Sequence, residues 1–499
     1  MIMAKRDSWI KENIVYFVFL LLPLVPLAFL CIFTGKNLFL SVPTWSDELD
    51  YFREVYSFSR NGLSFGGSLF VSYGAPIGPF GAHSFSPVVV YGLFSLLFGF
   101  NIHSIFIINI ALLSLSMFLC GILVKPKGRE LFITVLCFTL FPPMVLYIFT
   151  SMIEIPLYAG IIFYYGLYRK YEEDKKTWIF VLLMLTGTLI VLSRMTYIVI
   201  LFPAILSLTG YKFNKKTVRN LCIYLVAFLI LYKVYNLFCA VYPDWVTEDI
   251  KNAPGLVAKL KVVFQNTKEN LYRFFLPLGR SYTEVVLRYF YGFITLFTGI
   301  FSFIKVNSNG VQRTFSAKSF AFFVMAGGLF AMMVTLYDIK DWRDYRTFGP
   351  IALFLLLMLL NDTDFKDCGV GLRYAVFALS AVLLLVSRVT LLTEDRNIQK
   401  ETKLVAGFES IKEEDATGKP LILATSYDLN WGDANLMASI PSKLGFQTFY
   451  NGEVNETTLG CADYVLLTEK FVNENEDITD SLVYITNIDG YGKLYSVIK

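Results

Sequence analysis

The feature that most constrains this chain is a series of apolar segments long enough to cross a lipid bilayer. A helix needs about 20 predominantly apolar residues to span the hydrocarbon core. Eleven segments approach that length: 14–33, 104–124, 131–150, 152–168, 178–193, 195–210, 220–241, 284–304, 318–337, 347–361 and 373–392. Only 17% of the 499 residues are charged, whereas soluble proteins have about a quarter. The sequence therefore predicts a polytopic α-helical membrane protein with about eleven transmembrane helices.

The short apolar stretch 86–100 decides the orientation of the chain. If this stretch does not cross the membrane, the N-terminus and five short loops share one side and hold nineteen Lys and Arg between them. Cytoplasmic loops of membrane proteins are enriched in Lys and Arg, and this positive-inside rule is reliable for short loops. We therefore predict that 86–100 lies along the membrane interface, that the N-terminus is cytoplasmic, and that the long first loop 34–103 is external.

The part of the chain after the last predicted span is polar and contains short strand patterns. With the orientation above, residues 393–499 are external, as are the loop 242–283 and the turn 338–346. Five segments have the β-branched and aromatic composition of strands: LILAT, FQTFYN, DYVLLTE, LVYITNI and KLYSVI. We predict a transmembrane domain of residues 1–392, followed by a small extracytoplasmic α/β domain of residues 393–499.

The first external loop contains a dense cluster of carboxylates, in the sequence PTWSDELDYFREVYSF. Asp47, Asp50 and Glu54 fall at i, i+3 and i+7, so a helix would place three carboxylates on one face. Phe52 and Tyr56 would cover the other face, which suits a helix that lies on the bilayer surface. Taken alone, the pattern indicates the solvated face of an interfacial helix.

Further ionisable residues lie near the ends of predicted spans on the same side. Glu154 lies in SMIEIPLY, Arg194 lies in LSRMTY, and His83 precedes the interfacial stretch. Arg343 and Arg346 lie in the turn KDWRDYRTFGP. Because a charge at the bilayer centre costs about 2.5–3.5 kcal/mol on insertion scales, such residues usually face a polar cavity. We therefore expect these side chains to share one external site.

This set of residue types suits transfer from a lipid phosphate. Arginine binds phosphate through two-pronged hydrogen bonds and stabilises the charge left on a departing phosphate. A carboxylate within hydrogen-bond reach of an acceptor hydroxyl can remove its proton during attack. A second carboxylate could hold a divalent cation or orient a sugar hydroxyl.

The order of these features resembles the membrane glycosyltransferases of the GT-C superfamily, in particular the branch that contains the protein O-mannosyltransferases and the lipid A aminoarabinose transferase. That family typically opens its first external loop with an Asp-Glu-x-x-Tyr type motif, which DELDY at 47–51 matches. A His-x-x-x-Pro segment before an interfacial stretch that ends in Phe-Gly also recurs. HSFSP at 83–87, followed by the stretch that ends at Gly99, fits that pattern.

Three further positions agree with the same family, and the resemblance covers roughly residues 1–392. The family's acidic residue on the turn between the third and fourth spans matches Glu154, and its basic residue after the fifth span matches Arg194. A late Arg-Tyr-Pro-like element resembles DYRTFGP, although here Tyr345 precedes Arg346. The reversed order leaves open which arginine of this turn fills the family role.

The resemblance implies an inverting transfer of a sugar from a polyprenyl-phosphate donor to an acceptor outside the cytoplasm. Asp47 would be the general base, with Glu48 as its partner for the acceptor or a metal. Substrate contacts would come from Asp50, His83, Glu154, Arg194, Arg343, Tyr345 and Arg346. Some members use a divalent metal and others do not, so no cofactor is certain, and Mg²⁺ or Mn²⁺ at Asp47 and Glu48 stays open. The expected partners are the donor, the bilayer and a glycan, lipid or protein acceptor, without nucleic acid.

Two other classes stay open beside the glycosyltransferase. A polymerase or ligase of the O-antigen type also binds polyprenyl-linked glycans, but it needs catalytic residues in a large middle loop. The loop 242–283 offers Lys251, Arg273 and Arg280 but has no His. A transporter of lipid-linked glycans commonly has internal repeats and broken helices, and no repeat is apparent in this sequence. The glycosyltransferase is the favoured prediction.

Overall fold

The computed structural model describes most of the chain from residue 14 onward. The described residues are 14–40, 43, 46–61, 86–238, 248–275, 317–336, 347–361, 404, 406–419, 421–426, 437, 444–449 and 454–499. The predicted spans 284–304 and 373–392 lie outside these residues.

Helices dominate the described residues before 362. In chain order they are α1 (Leu24–Thr34), α2 (Ser46–Asn61), α3 (Ser86–Phe98), α4 (Ser104–Val124), α5 (Arg129–Leu140), α6 (Pro142–Tyr147), α7 (Glu154–Asp174), α8 (Thr177–Ser193), α9 (Leu201–Ser207), α10 (Lys215–Phe238), α11 (Glu248–Asn252), α12 (Gly255–Phe275), α13 (Ala317–Leu336) and α14 (Gly349–Asn361). Short 3₁₀ helices cover Ile14–Leu21, Leu38–Leu40 and Met195–Ile200.

Several of these helices have the length and composition of membrane spans. Among the described residues, the three longest such segments are Ile14–Thr34, Ser104–Val124 and Lys215–Val234. Shorter apolar helices are Thr177–Ser193, Met195–Ser207, Phe320–Leu336 and Gly349–Met358. All of them coincide with predicted spans, so the prediction of a polytopic helical membrane protein is confirmed at this level. The count of eleven spans stays a prediction.

Three predicted spans are interrupted: 131–150, 195–210 and also 14–33, where the 3₁₀ helix Ile14–Leu21 precedes α1. Prolines lie at the interruptions of 131–150 and 195–210. In the span 131–150, α5 ends at Leu140 and α6 begins at Pro142. In the span 195–210, the 3₁₀ helix Met195–Ile200 precedes α9, which contains Pro203. Because proline has no N–H and its ring clashes with the preceding turn, a continuous α-helix is disfavoured at both places.

Helix α7 packs against both α4 and α8. Its fully buried tyrosines are Tyr158, Tyr164, Tyr165 and Tyr168. Close approach to α4 depends on Gly166, where an added Cβ would lie 3.1 Å from the Cα of Cys120. Since only Lys175 and Lys176 separate the packed helices α7 and α8, the two run antiparallel. The start of α7 and the end of α8 therefore lie at one end of the bundle.

Helix α3 has the form expected of an interfacial segment. Its 13 residues make it about 20 Å long, which is short of the roughly 30 Å hydrocarbon core. Tyr91 and Ser95 are buried against the protein, whereas Leu93, Leu97 and Phe98 are exposed. This exposed apolar side suits contact with lipid, as predicted for 86–100.

The described residues after 403 include a five-stranded sheet. Its strands are β1 (Ile422–Ser426), β2 (Gly445–Phe449), β3 (Tyr464–Leu467), β4 (Leu482–Ile488) and β5 (Gly492–Val497), in the spatial order β2-β1-β3-β5-β4. Strand β1 pairs in parallel with β2 and β3, and β5 pairs antiparallel with β3 and β4. The short helices α15 (Glu456–Leu459), α16 (Glu469–Glu474) and α17 (Glu476–Thr479) lie between strands. Each strand overlaps one of the five predicted strand segments.

Local side chains fix the connections of this sheet. The Asn455 side chain accepts the backbone N–H of Thr458 at 3.1 Å and begins α15 as an N-cap. Gly492 begins β5 at φ 140°, and a Cβ there would overlap the carbonyl oxygen of Leu467. Only glycine fits this close approach of β5 to β3.

The C-terminal sheet packs directly on helix α2. One buried cluster joins Phe52 and Val55 of α2 to Leu423, Leu444 and Leu494 of the sheet region. The side chain of Arg53, also on α2, donates from Nη2 to the Leu444 carbonyl oxygen at 3.3 Å. Burial lowers the pKa of Arg53 to about 10, so this guanidinium stays charged at neutral pH.

This packing corrects the sequence interpretation of α2 as a helix on the bilayer surface with a solvated acidic face. Phe52 and Tyr56, which were expected to face lipid, are fully buried within the protein. Glu54, which was expected to face water, is only 5% exposed. Phe52 shares a buried cluster with strand residues more than 360 positions further along the chain, and the Tyr56 ring packs on Phe100.

Candidate functional site

Helix α2 brings Glu48 against the turn that precedes α7. The Glu48 side chain is fully buried, and its Oε1 accepts the backbone N–H of Ser151 at 2.9 Å. The Ser151 hydroxyl donates to the Glu48 carbonyl oxygen at 2.8 Å. A buried carboxylate is tolerated only where such donors replace its lost hydration. Glu48 therefore fixes α2 to this turn, residues 148–153, which we call the acidic turn because Glu154 follows it.

Glu154 and Arg194 form an ion pair at the same end of the bundle. The Glu154 side chain is 1% exposed, the Arg194 side chain is 12% exposed, and Oε1 lies 3.4 Å from Nη2. The sequence predicted both residues at one external site, and the structure places them in contact. Arg194 keeps a small accessible surface, so it can meet a ligand while it remains paired.

The ends of two helices favour this pair of charges. Glu154 is the first residue of α7, where the helix dipole stabilises a negative charge. Arg194 directly follows α8, where the dipole stabilises a positive charge. Arg194 is extended, with φ −154° and ψ 107°, so α8 ends at Ser193 and the arginine leaves the helix axis.

The segment that begins at Thr347 reaches the same end of the bundle through a contact with Tyr197, which lies three residues after Arg194. The Tyr197 hydroxyl donates to the backbone carbonyl oxygen of Thr347, and both residues are buried. Thr347 is the first described residue after the turn 338–346. The chain that follows the predicted arginine turn therefore packs beside the segment that follows Arg194.

The predicted site residues fall into three groups. Glu48, Glu154 and Arg194 are described with their side chains, and all three lie at the end of the bundle where α7 begins. Asp47 and Asp50 lie on α2, but their side chains are outside the described part of the structure. His83, Arg343, Tyr345 and Arg346 lie outside the described residues altogether. The roles of all these residues stay predictions.

The structure adds residues that the sequence reasoning did not select. Nothing in the sequence marks Ser151 as functional, since it is a small polar residue in a turn. Asn109 could have been selected from the sequence, because an amide in a predicted apolar span is unusual. Its Nδ2 donates to the carbonyl oxygens of Ile148 at 3.2 Å and Thr150 at 2.7 Å.

The described side chains do not assemble a metal site. Within the described ranges, no group of three or more His, Cys, Asp or Glu could hold an ion. One carboxylate oxygen of Glu48 already accepts the Ser151 amide, and one oxygen of Glu154 faces Arg194. This donor set does not fit a divalent cation. A metal at Asp47 and Glu48 stays untested, because the Asp47 side chain lies outside the described residues.

A family model described as dolichyl-phosphate-mannose-protein mannosyltransferase matches residues 83–238. That range includes α3, the acidic turn, Glu154 and Arg194. No curated protein sequence matches the chain significantly. The family match confirms, over this range, the resemblance to the GT-C branch that contains the protein O-mannosyltransferases.

Solved structures of two membrane enzymes are also similar to this chain. ArnT from Cupriavidus metallidurans in the apo state has a TM-score of 0.45 at 11% identity, over 99% of this chain and 98% of that one. ArnT bound to undecaprenyl phosphate has a TM-score of 0.46 at 12% identity, over 95% and 98%. The oligosaccharyltransferase of Archaeoglobus fulgidus in the apo form has a TM-score of 0.49 at 11% identity, over 98% and 74%.

Proposed function

We propose that this protein is a glycosyltransferase that moves a sugar from a polyprenyl-phosphate donor to an acceptor outside the cytoplasm. The observation that carries the proposal is the convergence of α2, the acidic turn and the Glu154–Arg194 pair at one end of the bundle. The family match over residues 83–238 supports the donor class, because the family description names a lipid-phosphate mannose.

In the proposed reaction, the acceptor hydroxyl oxygen attacks the anomeric carbon of the donor sugar. The bond between that carbon and the phosphate oxygen breaks, and polyprenyl phosphate leaves with the bonding electron pair. The hydroxyl proton passes to the carboxylate of Asp47, and attack opposite the leaving group inverts the configuration. General-base assistance of this kind contributes about 10²–10⁴-fold to a rate.

The described residues support this role by fixing what lies next to Asp47. Glu48 follows Asp47 in the chain and is tied to Ser151 through both its carboxylate and its carbonyl oxygen. This rigid attachment would hold the start of α2 still while a proton is transferred, which is what a positioned base requires.

The phosphate of the donor would be bound by arginine. Arg194 is partly accessible, and pairing with Glu154 holds its guanidinium in place without enclosing it. We assign Arg343 or Arg346 to the same phosphate, because Thr347 packs against Tyr197 close to Arg194. Guanidinium groups at the leaving phosphate would stabilise the charge that develops there.

The test is a transfer assay in nanodiscs with Asp47→Asn beside the wild type. The substitution keeps the size of the side chain and removes the base, so the transfer rate should fall by about 10²–10⁴-fold. Asp249→Asn is the matched control, because Asp249 is an exposed carboxylate on α11 in another predicted external loop. Near-normal turnover by Asp47→Asn would show that another group is the base.

A further inference from the structure

A buried hydroxyl–amide pair joins three elements at the end of the bundle where α7 begins. The Tyr91 hydroxyl on α3 donates to Oδ1 of Asn109 on α4 at 2.5 Å. Asn109 uses its two amide hydrogens for the Ile148 and Thr150 carbonyl oxygens of the acidic turn. Tyr91 and Asn109 are both 0% exposed.

Burying this hydroxyl–amide pair is costly unless the donors and the acceptor of the amide all have hydrogen-bond partners, and here they do. Burying an unpaired amide costs roughly 2–7 kcal/mol, depending on the reference state. The Asn109 amide has two donor hydrogens and one carbonyl oxygen, and each of them has a partner. Such a fully satisfied network fixes its neighbours in one arrangement.

The turn that Asn109 binds would otherwise have free backbone acceptors. Helix α6 ends at Tyr147, and the last carbonyl groups of a helix have no partner within the helix. Asn109 binds the carbonyl of Ile148, just beyond that end, and the carbonyl of Thr150. The next residue, Ser151, donates its backbone N–H to Glu48. The amide therefore sets the backbone that in turn holds the start of α2.

The acidic turn is thus held from two sides. From α2, Glu48 binds Ser151, and from α4, Asn109 binds the carbonyl oxygens of Ile148 and Thr150. Glu154 lies three residues after Ser151 and forms the ion pair with Arg194. Tyr91 connects this set to α3, whose opposite side exposes apolar residues. Loss of either Tyr91 or Asn109 would let the turn shift relative to both charged groups.

We propose that Asn109 and Tyr91 are positioning residues for the transfer reaction, which set the acidic turn and through it the geometry of Glu48 and Glu154. This inference rests on the proposed function. Neither residue touches the substrates, so their loss lowers kcat and leaves the KM for the donor nearly unchanged. Catalysis is sensitive to such changes, because a displacement of about 1 Å can cost about 10²-fold.

The test compares two tyrosine variants of the full-length protein in nanodiscs. Tyr91→Phe removes only the hydroxyl that binds Asn109. Tyr164→Phe is the matched control, because the Tyr164 hydroxyl is equally buried and donates to the Ile200 carbonyl oxygen at 2.9 Å. Asn109→Leu is a third variant, with the same number and branching of side-chain heavy atoms, that removes all three hydrogen bonds. Each variant is measured for kcat, donor KM and hydrogen–deuterium exchange of residues 148–153.

We expect Tyr91→Phe to lower kcat about tenfold and Asn109→Leu about a hundredfold, with donor KM within about twofold of wild type. Exchange of residues 148–153 should be faster in both variants and unchanged in Tyr164→Phe. Unchanged exchange in Tyr91→Phe would overturn the positioning role. Faster exchange with an unchanged kcat would overturn its catalytic consequence. If the wild type consumed no donor, the proposed function would fail, and the exchange data would still support or overturn the positioning of the turn.

Discussion

The two ends of the helical bundle differ in how their charged side chains are paired and buried. At the end where α7 begins, Glu48 binds Ser151 and Glu154 binds Arg194, across 103 and 40 chain positions, and both carboxylates are buried. At the other end of α7, the pairs Lys170–Glu173 and Lys175–Glu172 join residues three positions apart. Their side chains are between 21% and 69% exposed.

The contrast supports the proposal that the functional site lies at the end where α7 begins. Exposed pairs three or four residues apart on a helix contribute little to stability. Buried charges are expensive, and they persist where partners from distant segments hold them. Polar groups that are buried and drawn from several elements at one end are therefore better candidates for function than the exposed charges at the other end.

The largest effect should follow from breaking the Glu154–Arg194 pair. Glu154→Gln leaves the Arg194 charge without its carboxylate, and breaking a largely buried pair in this way costs about 3–5 kcal/mol of unfolding free energy. The double variant Glu154→Gln with Arg194→Gln should regain much of the stability, because no buried charge remains. Transfer should stay low in both. A double variant with restored transfer would show that the pair is only structural.

A smaller effect is expected at the predicted arginine turn. Arg346→Ala should raise the donor KM about tenfold, because a charge-assisted hydrogen bond contributes about 1.5–3 kcal/mol. The KM for the acceptor should change much less. Steady-state kinetics with donor and acceptor varied separately measures both. An unchanged donor KM would move the phosphate contact to Arg343 or Arg194.

The contact between the C-terminal sheet and helix α2 can be weakened by a substitution at Arg53. Arg53→Met removes the hydrogen bond to the Leu444 carbonyl oxygen, and a buried acceptor left without its donor costs about 1–3 kcal/mol. Limited proteolysis should then cleave the C-terminal region faster than in the wild type. Arg219→Met on α10 is the control, because Arg219 is exposed. Equal cleavage rates in both variants would contradict a role for Arg53 in holding the sheet.

The smallest effect is expected at the opposite end of the bundle. Glu173→Gln removes the carboxylate paired with Lys170 at 2.9 Å, but the Glu173 side chain is 69% exposed. The free energy of unfolding should change by no more than about 0.5 kcal/mol, and transfer should be unaffected. A loss of transfer in this variant would remove the distinction between the two ends.

Much of the helical architecture follows from the sequence because its signals are local. The described spans and the five strands lie where apolar length and β-branched composition predicted them. Glu154 and Arg194 were expected at one end because each lies at the end of an apolar segment. Their direct contact also depends on the antiparallel packing of α7 and α8. The short connection between the two helices already favours that packing.

Other features depend on contacts between distant segments and were not predictable from local patterns. The burial of Phe52 and Val55 on α2 comes from packing that includes the C-terminal sheet, and no periodicity in residues 46–61 could indicate that contact. Ser151 likewise acquires its role only when α2 folds against the acidic turn. Asn109 was visible as a polar residue in an apolar span, but its three partners lie in two other segments, helix α3 and the acidic turn.

The most direct test of the central claim is the fate of the donor. Purified wild-type protein in nanodiscs would be given a panel of radiolabelled polyprenyl-phosphate sugars together with membrane extract as a source of acceptors. We expect one donor to be consumed, with one polyprenyl phosphate released for each sugar that reaches a new product. If no donor were consumed while lipid-linked glycans crossed the bilayer or were joined end to end, the protein would be a transporter or a polymerase, and the glycosyltransferase account would be wrong.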